Sequence, residues 1–338
     1  MKKVFIVVVV LSLVMMTVAG CGGGTTDDTG DSGDKPLIAL SQGESGNAWR
    51  TTNTTDMEEW AEKSGYDFIW TDGNNDANKQ LSDIEDLIAK KPDLLIIAPL
   101  QTDAISPAYD MVKDAQIPMI TIDRTLNDAP DGEYYKAMIV QDFVEVGRLG
   151  AQRAVDILTE QYGEPKGRIL EITGTVGASP AVDQANGIRE VLDEYPDIEI
   201  VDSQSGDYNR ATGRAVMDDF LNKYPEGDID VLITHCDDSA LGALQAMRDA
   251  GREDLMGRII AKDGLVTALG EVIEGNIDTT YQCPPYFGET TMDLIGKILN
   301  GEEFEQVINV PFKTFDMRDN ADMTKEYHQH LLDEGLDY

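Results

Sequence analysis

Asp123 and Arg124 directly follow residues 118–122, a run that is apolar or β-branched after its opening proline. Such a run reads as a strand buried in a parallel sheet, and open α/β sheets bind ligands beyond the carboxyl ends of their strands. The two charges therefore stand where a cleft would open. Alone, the pair reads better as a solvated ion pair at a strand end, but the arrangement repeats. The stretches 42–50, 207–210 and 236–238, together with Asp263 and Gln282, place polar or aromatic groups after further apolar runs. Carboxylates and guanidinium groups hold hydroxyls in fixed geometry, while an aromatic ring covers the apolar face of a sugar. Trp49, within Glu44-Ser-Gly-Asn-Ala-Trp-Arg50, and Tyr208 suit that role, whereas Tyr281 reads as core packing. The chemistry these residues offer is binding.

Catalytic and metal-binding patterns are weak by comparison. The run Gly174-Thr-Val-Gly-Ala-Ser179 lacks the Gly-Lys-Ser/Thr ending of a P-loop and the spacing of a dinucleotide fingerprint, so it reads as a tight turn with Ser179 capping the next helix. His235 and Cys236 are neighbours on a strand and point to opposite faces, which argues against a catalytic dyad. His328 and His330 are two positions apart in a helical pattern and fall on different faces. Three histidines and the scattered cysteines make no metal site of recognisable spacing, and no catalytic residue or cofactor is assigned. A pair among the 63 carboxylates would fit glycoside hydrolysis only as it would in any acidic protein. The net charge of −36 repels phosphate backbones and argues against nucleic-acid binding.

The elements that must position these residues alternate. Strands are expected at 36–42, 66–71, 94–98, 118–122 and 137–141, with helices at 48–64, 78–90 and 103–115 between them. After a long helix at 144–161 the alternation restarts, with strands at 168–173, 198–203, 231–235, 259–261 and 278–282. Helices fall between these at 180–194, 211–224, 239–250 and 267–274. Strands alternating with helices imply right-handed βαβ units and parallel sheets. The fold class is therefore α/β, in two βα halves of similar size whose strand ends face across a cleft, with hinge closure as the expected motion. A further helix at 286–300, a last strand-like run at 307–315 and a terminal helix at 323–337 on the second half complete the chain. Cys236 and Cys283 would end the third and fifth strands of one sheet, about 9 to 10 Å apart and beyond disulfide reach, so free thiols are expected.

The first residues carry a different message. Lys2 and Lys3, an apolar run over 4–18, and Ala19-Gly20-Cys21 have the parts of a secretory signal, too short and wrongly flanked for a membrane-spanning helix. The cysteine after Val18-Ala19-Gly20 resembles the bacterial lipobox, which implies lipidation of Cys21 after cleavage at residue 20. Residues 21–35, rich in Gly, Thr and Asp, read as a flexible tether, so the mature protein is expected to be anchored to a membrane surface without spanning it.

The mature chain resembles the periplasmic sugar-binding proteins of bacterial ABC importers, of the ribose-binding type and most closely the galactofuranose/arabinofuranose branch. The resemblance is carried by Ser41-Gln-Gly-Glu-Ser-Gly-Asn-Ala-Trp-Arg50, Ile97-Ala-Pro99, Asp123-Arg124, the 174–179 run, Ser203-Gln-Ser-Gly-Asp-Tyr208 with Arg210, and Asp237-Asp238 with Leu241-Gly-Ala243. It implies a type I periplasmic-binding-protein fold, with one lobe at 36–141 plus about 285–309 and the other at 142–284 plus about 310–338. It implies that Asp123 and Arg124 hold hydroxyls from the first lobe beside Trp49 and Arg50, that Tyr208 contacts the sugar from the second with Asp263 as acceptor, that Gln282 completes the site at a crossover, and that Asp142 belongs to the hinge. Two departures stand out: Gln184 ends a stretch, 182–184, where the family often has arginine, and Cys236 occupies a binding position where asparagine usually precedes the acidic pair. The implied protein is a monomer that captures a monosaccharide outside the cytoplasmic membrane or in the periplasm and delivers it to ABC permease and ATPase subunits. The alternative is a sugar or autoinducer receptor feeding a membrane sensor kinase or chemoreceptor.

Overall fold

A computed structural model describes residues 35–338. The expected signal peptide, the lipidation site Cys21 and nearly all of the tether lie outside the described residues. The elements run β1 (Leu37–Gln42), α1 (Ala48–Lys63), β2 (Asp67–Asp72), α2 (Ala77–Ala89), β3 (Leu94–Ala98), α3 (Thr102–Ile105), α4 (Ala108–Ala115), β4 (Met119–Ile122), β5 (Tyr135–Val140) and α5 (Phe143–Tyr162). They continue with β6 (Gly167–Thr173), α6 (Ser179–Leu192), β7 (Ile198–Ser205), α7 (Arg210–Lys223), β8 (Val231–Thr234), α8 (Asp237–Ala250), β9 (Ile259–Asp263), α9 (Val266–Glu274) and β10 (Thr279–Gln282). The chain closes with α10 (Gly288–Asn300), β11 (Val307–Asn309), β12 (Thr314–Asp316) and α11 (Ala321–Glu334).

Two six-stranded sheets result, in the orders β11-β5-β4-β3-β1-β2 and β12-β10-β9-β8-β6-β7. All pairings are parallel except β12 against β10. Both faces of the central strands are covered, which is why they read as unbroken apolar runs. Ile38 and Leu40 pack toward α1 and α10, while Ala39 between them packs toward α2 and α4. In the second sheet Ile172 and Leu232 face the α7, α8 and α9 side, and Ile169 and Val231 face α5 and α6.

The chain passes between the sheets three times, at Gln141–Asp142, at 283–287 and at 310–313. These crossings are laced together: Gln141 Nε2 donates to Gln282 O at 2.6 Å, Val310 N to Val140 O at 2.8 Å and Gln282 N to Lys313 O at 2.8 Å. The strand-like run expected over 307–315 is two short strands, one in each sheet. Pro311 lies between them and offers no N–H to a continuous ladder. The helix expected over 103–115 is likewise two pieces. Pro107 cannot donate inside a helix and instead opens α4 as its N-cap.

Helices α5 and α6 cross at backbone distance. A Cβ on Gly187 would lie 2.0 Å from Val144 O, and one on Gly147 2.2 Å from Gln184 O. Only glycine permits this approach, and the crossing fixes α6, whose first turn borders the cleft. Gly187→Ala should lower stability by about 1–3 kcal/mol through overpacking. Chemical denaturation should show a lower midpoint with an unchanged slope.

Candidate functional site

Between the carboxyl ends of the two sheets lies a narrow cavity. It is lined by Asn47, Trp49 and Arg50 from α1 and its cap, Asp123 and Arg124 after β4, Pro180 on α6, and Tyr208 after β7. Asp238 of α8, Lys262 and Asp263 ending β9, Cys283 after β10 and Tyr338 complete the wall. Six residues named from the sequence, Trp49, Arg50, Asp123, Arg124, Tyr208 and Asp263, thus meet at one place.

Each is held by local structure. Asn47 caps α1 through Arg50 N, which sets Trp49 and Arg50 on its first turn. The Trp49 ring packs edge-on against Phe287, its Nε1 donates to Cys283 O at 2.7 Å, and the Arg50 guanidinium lies 4.7 Å from its centroid. Asp123, Tyr208 and Asp263 have φ values of 62°, 51° and 141°, a region that non-glycine residues rarely enter. Such strain costs about 1–3 kcal/mol per residue and concentrates at functional sites. At Asp123 the turn is locked by its N–H on Ile139 O at 2.8 Å, which aims the carboxylate beyond the strand end.

Charge in the cavity is paired cation by cation. Arg50 Nη2 donates to Asp123 Oδ2 at 2.5 Å, Arg124 Nη2 to Glu44 Oε1 at 3.1 Å, and Lys262 Nζ to Asp263 Oδ1 at 2.8 Å. Asp238 is tied to Arg210 at 2.7 Å. Burial and the adjacent Arg50 pull the Arg124 guanidinium below its ordinary value. Burial pushes Asp263 up to about 7 against the pull of Lys262, with Asp237 and Asp238 adding to the rise. Burial also opposes the Lys262 charge, yet the Asp263 carboxylate holds the ammonium well above its usual value. Among the described residues, Arg50 Nη1, Arg124 Nε and the Tyr208 hydroxyl are buried without a hydrogen-bond partner. Each such group costs about 1–3 kcal/mol until something bonds to it, so the cavity offers three hydrogen-bonding atoms to a polar guest.

The glycine-rich run 174–179 has a role other than a turn and a cap. A Cβ on Gly174 would lie 1.9 Å from the Tyr208 ring, so this glycine is the ring's seat. Ser179 does not cap α6; Ala178 holds that position without a side-chain bond. The Ser179 hydroxyl instead accepts from Thr125 N at 3.0 Å, while Gln101 Nε2 donates to Val176 O at 2.8 Å and Thr102 N to Gly177 O at 2.9 Å. The run is therefore the rim along which the two halves touch.

Gln282 and Cys236 are not among the lining residues. The Gln282 amide donates to the Tyr327 hydroxyl at 2.7 Å, and the Cys236 sulfur caps α8 by accepting from Ser239 N. Cys236 and Cys283 are free and buried, on β-strand ends with β9 between them. Gln184 is buried away from the cavity, whose third cation comes from Lys262 on β9. Asp142, exposed at the first crossing, caps α5 through Glu145 N. Sequence reasoning missed Lys262, Pro180, Cys283 and Tyr338, and it covered Asn47 and Asp238 only within the stretches 42–50 and 236–238. A lysine between Ala261 and Asp263 at the end of an apolar strand was the one available signal, since lysine is buried almost only when paired. His235 shares a hydrogen bond with Glu171 at 3.1 Å, on the side away from Cys236.

A profile of the periplasmic binding protein domain matches residues 38–303. The ribose import binding protein RbsB of Bacillus subtilis is 30% identical over 316 residues, covering 93% of this chain and 98% of the relative. The galactofuranose-binding protein YtfQ of Escherichia coli is 28% identical over 289 residues, covering 84% and 88%. The solved binding component of the arabinose ABC transporter from Shewanella sp. ANA-3, bound to α- and β-L-arabinofuranose, is 29% identical with a TM-score of 0.78, covering 88% of this chain and 97% of that one. With two parallel-sheet halves and polar strand ends converging on a cavity between them, the chain belongs to the periplasmic binding protein domain family and is a binding protein rather than an enzyme.

Proposed function

We propose that this protein is an extracytoplasmic solute-binding lipoprotein, anchored through Cys21, that captures a neutral monosaccharide in furanose form and hands it to an ABC importer. The observation that carries the reading is the set of three buried cations lining one cavity between the sheets, each paired with a carboxylate and flanked by Trp49 and Tyr208. Because each cation already has its anion, a ligand with a full charge would leave one charge unmatched in a desolvated site, whereas hydroxyls bond to paired charges without upsetting them. Relatives named for ribose and galactofuranose, and a structural neighbour holding arabinofuranose, support the ligand class. The two lobes would be 36–141 with about 285–309 and 142–284 with about 310–338, hinged at the three crossings near Asp142. Closure would be favoured because the sugar touches both lobes only when they meet, and a wrong epimer would leave a buried polar group unpaired.

The reading is tested by thermal unfolding of the purified protein lacking residues 1–35 against L-arabinose, D-galactose, D-ribose, D-fructose and D-fucose. A ligand at about one hundred times its dissociation constant adds about 2.7 kcal/mol of stability. One furanose-forming sugar should stand out, and no shift with any of them would sink the proposal.

Asp123→Ala strips Arg50 of its partner and removes a hydroxyl acceptor. Sugar affinity measured by calorimetry should fall about 100-fold or more, corresponding to the roughly 3–5 kcal/mol lost when a buried pair is broken. Gly174→Ala should displace the Tyr208 ring and weaken binding at least about tenfold while far-UV circular dichroism is unchanged. Asp263 predicts a pH dependence. Its folded pKa lies above its ordinary value, so the folded protein takes up a proton that the unfolded chain has released. Its contribution to stability is present at low pH and lost as pH rises through about 7. Sugar binding that uses ionised Asp263 as acceptor runs the other way. The dissociation constant should fall by up to about tenfold per unit as pH rises toward 7 and level off above it. Asp263→Asn should flatten that profile, and a wild-type profile flat from about pH 5.5 to 8 would remove Asp263 from the acceptor role.

A further inference from the structure

The segment after α11 enters the cavity. Gly335, at φ 68°, ends the helix in the left-handed conformation, and Leu336 N closes the turn on Leu331 O at 2.9 Å. The segment is then pinned at two points: Val266 N, in the second half, donates to Asp337 O at 2.7 Å, and the Tyr286 hydroxyl, in the crossing at 283–287, donates to Tyr338 O at 3.0 Å. Residues 332–337 are exposed or half-buried, yet Tyr338 is only 3% exposed and lines the same cavity as Trp49, Asp123, Tyr208 and Asp263. Burial, then the charges of Asp263, Asp238 and Asp237, push its phenol upward, so it stays a neutral hydrogen-bond donor. Its ring also belongs to the buried apolar cluster that contains Trp49, Leu265, Cys283 and Phe287.

We propose that Tyr338 is a specificity-determining residue: an aromatic wall, delivered by the segment after α11, that restricts the cavity to a single sugar ring and excludes a second. The proposal rests on the monosaccharide reading above. An aromatic ring beside acidic acceptors supplies both a face for the sugar's C–H groups and a limit on the space available.

The test uses a background carrying Trp60→Phe and Trp70→Phe, in which Trp49 is the remaining tryptophan and acrylamide quenching reads access to the cavity. Tyr338→Ala should raise the quenching constant at least about twofold, while Tyr338→Phe leaves it unchanged. In the wild-type background Tyr338→Ala should lose about tenfold or more in affinity for the bound monosaccharide and gain measurable binding of a disaccharide containing it. Tyr338→Phe should keep the disaccharide out. Unchanged quenching, or unchanged selectivity in a protein that binds sugar, overturns the proposal. If no variant binds any sugar but Tyr338→Ala opens Trp49 to acrylamide, the wall stands and the monosaccharide reading falls. Should Tyr338→Ala fail to fold, Tyr338→Leu reads the same two quantities.

Discussion

The site depends on the pairing of Arg50 with Asp123 where both side chains are nearly closed off from water. Taking either charge out of water alone costs several kcal/mol, and the 2.5 Å contact offsets that only because both groups are held rigidly. Asp123 is held by a strand end in a disfavoured backbone conformation, and Arg50 by the first turn of a capped helix with its guanidinium over Trp49. Arg124 extends the arrangement: its Nη1 is fixed on Leu100 O at 2.7 Å, its Nη2 on Glu44, and its guanidinium lies 5.7 Å from the Tyr208 ring. Tyr208 in turn lies 5.6 Å from Lys262, which holds Asp263. A chain of charge and ring contacts therefore runs from one sheet to the other through the cavity.

That chain explains why strained residues and close glycines gather where they do. Asp123, Tyr208 and Asp263 all depart from ordinary backbone geometry, and Gly174 has no Cβ because the Tyr208 ring occupies that space. The parallel sheets pay for the strain. Their strands are buried on both faces, so several rigid edges present loops to the same cleft. Asp237 illustrates the supporting layer: it takes no part in the cavity wall but accepts from Gly264 N, Leu265 N and Thr280 Oγ1, and so fixes the loop that follows Asp263.

The element order was legible because each central strand is an apolar run and most helices are amphipathic, α1 with its buried Arg50, Asn53 and Thr54 being the exception. Pro107 and Pro311 interrupted the pattern where two elements had been read as one. The strand-end positions of Asp123, Tyr208 and Asp263 were legible for the same local reason. Gln282 and Cys236 stand at equivalent strand ends, yet their side chains are taken by Tyr327 and Ser239, partners that no spacing rule reveals. Tyr338 was beyond reach of the sequence because its neighbours in the cavity are far from it along the chain. Lys262 was hidden by a strand read two residues too short.

The most direct test of the account is a crystal structure of residues 35–338 grown with saturating L-arabinose or D-galactose. The account predicts one sugar in furanose form between the sheets, its hydroxyls within hydrogen-bond distance of Arg50, Asp123, Arg124, Tyr208 and Asp263. Sugar bound elsewhere, or a cavity that holds none at saturation, would contradict it.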